Sequence, residues 1–175
     1  MRNLLVLVSV VTLWSSSLVA QSNMLRLKAS DLGRLAALAQ EHPETRHLVI
    51  KRAKLTSIPT EVFLFPNLDS LDLYNNKIDY LPDSVWQMMS SLRYLRMGKN
   101  PMRHLPSGIQ HLQSLNHLDL WNAEIETIHE NIFDLSALKY IDVRATRLSR
   151  DLLDNLRNGL PDEVEIKATW QCNCR

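Results

Sequence analysis

The chain has 175 residues, a length that suits one domain better than two large ones. Lys plus Arg number 20 and Asp plus Glu 19, and Arg2 is the one charge within residues 1–20, so the rest of the chain balances at 19 against 19. That neutrality excludes a polybasic nucleic-acid binder, and 45% hydrophobic with 22% charged residues excludes intrinsic disorder.

Leucine is the outlier, at 31 positions. Such an excess requires either a membrane protein or a pattern that uses leucine repeatedly. Residues 1–20 account for a few of them and read as a signal peptide. Arg2 supplies the basic start, and Leu4 to Trp14 form an apolar run broken only by Ser9 and Thr12. Ser15 to Ala20 make a cleavage region, with the cut expected near Ala20 or Ser17. The run is short for a spanning helix of about 20 residues. The expectation is therefore a secreted or periplasmic protein with no membrane insertion after cleavage.

Residues 21–44 are expected to form a helical N-terminal cap. In "ASDLGRLAALAQEHP", Ser30 or Asp31 can cap a helix, Leu32, Leu35, Ala36, Leu38 and Ala39 line one face, and Pro43 follows its end. Residues 45–168 then repeat with a step near 23. Leu68, Leu92, Leu115 and Leu138 mark successive units. Three residues on stand Leu48, Leu71, Leu95, Leu118, Ile141 and Val164; five on stand Ile50, Leu73, Met97, Leu120, Val143 and Ile166. Further apolar positions recur at Leu55, Ile78, Met102, Ile125 and Leu148, and at Ile58, Leu81, Leu105 and Ile128. Each apolar-polar-apolar segment predicts a short strand with one buried face. One unit cannot bury that face alone, so the units must stack. At the far end, "SRDLLDNLRNGLP" predicts a helix with Ser149 as N-cap and Leu152, Leu153 and Leu156 inward, stopped by Gly159 and Pro161. "EVEIKA" predicts a sixth, edge strand, whose charges discourage open-edge pairing. Residues 169–175 are a cysteine-containing tail.

"LDSLDLYNNKIDYLPDSV" and "LRYLRMGKNPMRHLPSGI" resemble the 23-residue form of the leucine-rich repeat family, L-x-x-L-x-L-x-x-N-x-L-x-x-L-P-x-x-I. The resemblance implies an α/β solenoid bent into a horseshoe arc. About six short parallel strands would line its concave face, between a helical N-terminal cap and a helical last repeat. It also implies an asparagine at the ninth position that bonds neighbouring backbone. Asn76 and Asn100 fill that slot, whereas Ala53, Ala123 and Thr146 replace it. The ladder is therefore expected to be interrupted. The tail resembles the opening "W-x-C-x-C" of a cysteine-rich C-terminal cap. Cys172 and Cys174 are candidates for a disulfide, within the chain or linking a dimer, and Trp170 for covering the end of the core.

In such an arc the side chains between buried leucines face the concavity in columns. The first is expected to hold His47, Ser70, Tyr94, His117, Tyr140 and Glu163. The second holds Val49, Asp72, Arg96, Asp119, Asp142 and Glu165; the third Lys51, Tyr74, Gly98, Trp121, Arg144 and Lys167. Tyr, Trp and Arg are the residues most enriched at binding hot spots. Tyr74, Tyr94, Arg96, His117, Trp121, Tyr140 and Arg144 thus form the candidate partner-binding patch. Aromatic pairs across neighbouring strands also stabilise a sheet by about 0.2–1 kcal/mol each without any ligand. Asp72, Arg96 and Asp119 alternate in sign, which reads as an ion-pair ladder rather than a catalytic carboxylate pair. Lys51, Arg52, Lys54 and Arg46 make a basic edge suited to solvent or to the rim of an acidic partner.

No H-E-x-x-H, G-x-S-x-G or phosphate-binding glycine loop is present, and the six histidines are scattered, so no catalytic residue, metal or cofactor is expected. The leading expectation is an exported, non-enzymatic module that binds a protein or peptide ligand through its concave face. Three alternatives stay open: an inhibitor of a secreted hydrolase, a thiol-disulfide or metal role at Cys172 and Cys174, and a structural envelope protein.

Overall fold

The structure, a computed structural model, describes residues 23–169. The expected signal peptide, Trp170, Cys172 and Cys174 lie outside the described residues. Among the described residues nine strands follow in order: β1 (Met24–Leu27), β2 (His47–Ile50), β3 (Ser70–Asp72), β4 (Tyr94–Arg96), β5 (His104–Leu105), β6 (His117–Asp119), β7 (Thr127–Ile128), β8 (Tyr140–Asp142) and β9 (Glu165–Lys167). Seven of them form one parallel sheet in the order β1-β2-β3-β4-β6-β8-β9. The short pair β5-β7 lies outside that sheet. The arcs that return to each strand are 3-10 turns at Thr60–Leu64, Ser107–His111 and Glu130–Asp134, and helices α2 (Asp83–Met88) and α3 (Arg150–Gly159). This is the arc that the resemblance to leucine-rich repeats implies.

The apolar offsets supply the core. Leu48, Leu71, Leu95, Leu118 and Ile141 are fully buried beneath the sheet, and Ile58, Leu81, Leu105, Ile109 and Ile132 close the convex side. Truncating one such leucine to alanine costs about 2–5 kcal/mol. Trp86 on α2 is fully buried, its indole N–H donating to the Leu81 carbonyl at 3.2 Å. Gly108 of the next turn lies against that ring; a Cβ there would fall 2.6 Å from it.

The asparagine slot behaves as the resemblance implies. Asn76 Oδ1 accepts the N–H groups of Ala53 (2.9 Å) and Leu55 (3.2 Å), and its Nδ2 donates to Ile50 (2.7 Å) and Leu73 (2.8 Å). Asn100 Oδ1 accepts the Ile78 N–H at 3.0 Å, and its amide donates to Leu73 and Met97. Thr146 reaches only its own turn, donating to the Val143 carbonyl at 2.7 Å. Beside this slot the backbone turns left-handed in five successive repeats, at Arg52, Asn75, Lys99, Asn122 and Ala145. None of the five is glycine, although glycine adopts positive φ without steric penalty.

Three details differ from expectation. The N-terminal cap is not helical throughout. It opens with β1, paired Leu25 to Leu48, which makes seven concave strands instead of about six. A 3-10 turn at Ala29–Arg34 then leads into α1 (Leu35–Glu41). Asp31 holds this entry by accepting the Lys28 N–H at 2.8 Å, so the cap residue is Lys28 rather than Ser30 or Asp31. Leu35 and Ala39 are buried, but Ala36 faces solvent. The third difference is register. β9 pairs Ile141 with Ile166, not with Val164, because α3 spans ten residues where the preceding 3-10 turn spans five. Glu165, Lys167 and Thr169 therefore end the three concave columns, in place of Glu163, Glu165 and Lys167. Ser149 caps α3 as expected, its hydroxyl accepting the Leu152 N–H at 3.3 Å.

Candidate binding site on the concave face

Parallel strands set side chains of equal register about 4.8 Å apart. In the first column that spacing lets flat rings pile up. Tyr94 and His117 stack with centroids 4.5 Å apart and planes inclined by 18°, and His117 and Tyr140 stack at 4.1 Å and 8°. The three rings come from β4, β6 and β8. Burial pushes the Tyr94 and Tyr140 hydroxyls above the usual tyrosine range, helped by the charge of Asp119 beside the first and Asp142 beside the second. Burial lowers His117, against the pull of Asp119 and Asp142. The three stacked rings therefore favour their neutral forms at pH 7.

The third column is built differently. Tyr74 and Trp121 are two strands apart, which would separate their rings by about 9.6 Å if both stood upright. Their centroids are 6.0 Å apart and nearly parallel, at 17°. Gly98, two residues past the end of the intervening β4, makes this approach possible. A Cβ there would fall 2.5 Å from the Trp121 carbonyl oxygen and 3.3 Å from the Tyr74 ring. Two cations cover the pair. The Arg96 guanidinium carbon lies 4.4 Å from the Tyr74 centroid, and Lys99 Nζ lies 5.7 Å from Tyr74 and 5.5 Å from Trp121. Cations over aromatic faces are attracted by the ring quadrupole.

The charged column between them is a self-contained ladder. Asp72, Asp119 and Asp142 each accept the backbone N–H two residues on, at 2.9–3.0 Å, which fixes their carboxylates at the strand ends. Arg96 then bridges Asp72 at 3.8 Å and Asp119 at 2.8 Å, and Lys51 reaches Asp72 at 2.7 Å. The Arg96 Nε–H is not aligned on its carboxylate, so that contact is an ion pair without a hydrogen bond. Arg144 closes on Asp142 of its own strand at 2.6 Å. For Asp142, burial is the largest influence and would raise its pKa. The hydrogen bonds and charge of Arg144 together outweigh it and hold the carboxyl below the usual range.

The structure thus divides the expected patch. Tyr94, His117 and Tyr140 make one cluster; Tyr74, Arg96 and Trp121 make another; Arg144 joins neither stack and serves Asp142. Gly98 and Lys99 also belong to the second cluster; the sequence sets both in concave columns, Gly98 in the third and Lys99 in a fourth, but the candidate patch left them out. Lys99 was left out because the patch was chosen for aromatic and Arg side chains, whereas the lone glycine in an aromatic column was a readable signal. Among the described residues, no group of three His, Cys, Asp or Glu side chains could hold a metal ion, and no helix is long and apolar enough to cross a membrane.

Comparison with known proteins agrees with this architecture. Residues 43–102 match the family model for leucine rich repeats. A DISP complex protein of Mus musculus is 28% identical over 166 residues, covering 78% of this chain and 21% of its own length. A disease resistance protein of Arabidopsis thaliana is 30% identical over 115 residues, covering 65% of this chain and 12% of its own. The chain spans about a fifth or less of these curated relatives. Among solved structures, a leucine-rich repeat protein of Leptospira interrogans aligns with a TM-score of 0.60 at 27% identity, over 75% of this chain and 33% of that one. An internalin of Listeria monocytogenes aligns with a TM-score of 0.58 at 20% identity, over 78% and 38%, a likeness of fold alone.

Proposed function

The chain belongs to the leucine-rich repeat family, and we propose that it is an exported, non-enzymatic recognition module that binds a protein or peptide through its concave face. Repeats of this kind commonly serve as protein-interaction scaffolds, and the coarse reading rests on that. The finer one rests on a single observation: two aromatic clusters stand side by side along the concave strands and their C-terminal ends, half-open to the concavity, and a Tyr74–Trp121 pair that only stabilised the sheet would not need Arg96 and Lys99 laid over it. Rigid aromatics give large contact area at low entropic cost, which is why they anchor interfaces. Export is supported by the pattern of residues 1–20.

Replacing Tyr94, Trp121 and Tyr140 together with alanine is expected to abolish capture of the partner from the native extracytoplasmic fraction while the far-UV circular dichroism stays unchanged. Equal capture by the variant would overturn the concave-face assignment. Retention of residues 1–20 on the exported protein would overturn cleavage, and its absence from the exported fraction would overturn the localisation.

A further inference from the structure

At the C-terminal ends of the concave strands, the loops of the first two repeats carry Arg52, Lys54 and Lys77. These three line one open notch of about 340 Å³ together with Asn75 and Asn76. All three cations are exposed, and none makes an ion pair among the described residues. Lys99 stands one repeat further along the same edge, over the Tyr74 and Trp121 rings. Like charges gathered without a counter-charge repel, so a purely structural account gains nothing from them. Two of them are also costly in backbone terms. Arg52 has φ 54° and Lys54 φ 60°, a region where glycine or asparagine is tolerated more easily than a long cationic residue. At position 52 that conformation recurs in five successive repeats, whereas at Lys54 it does not, so the strain at Lys54 marks a position where the side chain itself is wanted.

Resting on the proposal of concave-face recognition, we infer that this notch receives the carboxylates of an acidic peptide segment of the partner, whose neighbouring apolar side chain lies on the Tyr74–Trp121 pair. Carboxylates suit a site of separate point charges, and Lys99 joins the charged edge to the aromatic platform. A long polyanion does not suit it. Such ligands need an extended basic field, and here the field stops at Glu124 and Glu126, two repeats on.

The test uses the full chain, produced in a bacterial host, and two fluorescein-labelled ten-residue peptides. One carries five glutamates around a phenylalanine; its twin has glutamine for every glutamate. Polarisation is expected to show at least tenfold tighter binding of the acidic peptide, lost in 0.5 M NaCl, where screening is nearly complete. The variant Arg52→Asn/Lys54→Gly/Lys77→Gln is expected to lose at least tenfold. Asn and Gly favour the left-handed backbone at positions 52 and 54, so its melting temperature should not fall. If it fails to fold, Lys77→Gln alone, expected to lose about threefold, takes its place. Equal binding of the two peptides, or an unchanged affinity in the variant, overturns the inference. So does tighter binding of heparin or of a 20-nucleotide single-stranded DNA, which would replace the acidic peptide with a polyanion. Partner capture by the triple-alanine variant tests the concave face separately, so the two failures are distinguishable.

Discussion

The loops of the N-terminal repeats and those of the C-terminal repeats occupy the same positions in the repeat and are tied together by different means. Near the N-terminus, the buried amides of Asn76 and Asn100 clamp each loop to its predecessor from inside the core. Near the C-terminus, Ala123 and Thr146 stand in that slot, and side chains span the outside instead. Arg147 reaches Glu124 at 3.0 Å and Glu126 at 3.4 Å, and Arg103 reaches Glu126 at 3.8 Å. Equivalent backbone bonds serve both ends, from the Lys77 N–H to Leu55 near the N-terminus and from the Arg147 N–H to Ile125 near the C-terminus. Internal clamps leave surface charges uncommitted, and external clamps consume them. That division explains why Lys54 and Lys77 are unpaired where Glu124 and Arg147, at the corresponding positions, hold each other.

The largest effect expected from breaking this division is at Asn76. Asn76→Ala removes a side chain that satisfies two buried N–H groups and two carbonyls. Each buried polar group left without a partner costs about 1–3 kcal/mol. A loss of at least about 3 kcal/mol is expected by urea denaturation, with hydrogen exchange rising first at Ala53 and Leu55. A loss below about 1 kcal/mol would show that the ladder is redundant with the backbone.

At the other end, Arg147→Ala removes two exposed ion pairs. Exposed pairs contribute about 0.2–1 kcal/mol and are screened by salt. The variant is expected to lose less than about 1 kcal/mol at low salt and nothing at 1 M NaCl. A loss as large as that of Asn76→Ala would erase the contrast between internal and external clamps.

Much of this was readable in the sequence, and the exceptions have physical reasons. The strand leucines recur at constant offsets, so their burial follows from period alone, and the bonding of Asn76 and Asn100 followed from the family resemblance. β1 escaped notice because Met24 to Leu27 give only four residues of alternation beside a stronger helical pattern. The register of β9 escaped because the repeat that holds α3 is two residues longer than the one before it, and a shift of two leaves every side chain on its expected face. Alternation cannot report such a slip. The division of the candidate patch into two clusters depended on Gly98 letting rings two strands apart lean together, a distance that no linear pattern encodes.

The smallest effect expected concerns the stack that joins the two halves, for His117 lies between Tyr94 of one and Tyr140 of the other. Burial lowers its pKa in the folded chain below the ordinary 6.5. As the pH falls, the unfolded chain therefore takes up this proton before the folded one does. The stabilising contribution is whole above pH 6.5 and is lost as the pH falls through 6.5 towards the folded value. Because the ring is only partly buried, solvent screening keeps the loss slight. His117→Phe keeps a flat ring in the stack and removes the titration. Subtracting its urea midpoints from those of the wild type between pH 7.5 and pH 5.5 cancels the other histidines, which both proteins share. The difference is expected to move against the wild type on the acid side. Parallel curves would mean that the imidazole stacks equally well with its second proton, and that the junction between the two halves is insensitive to charge.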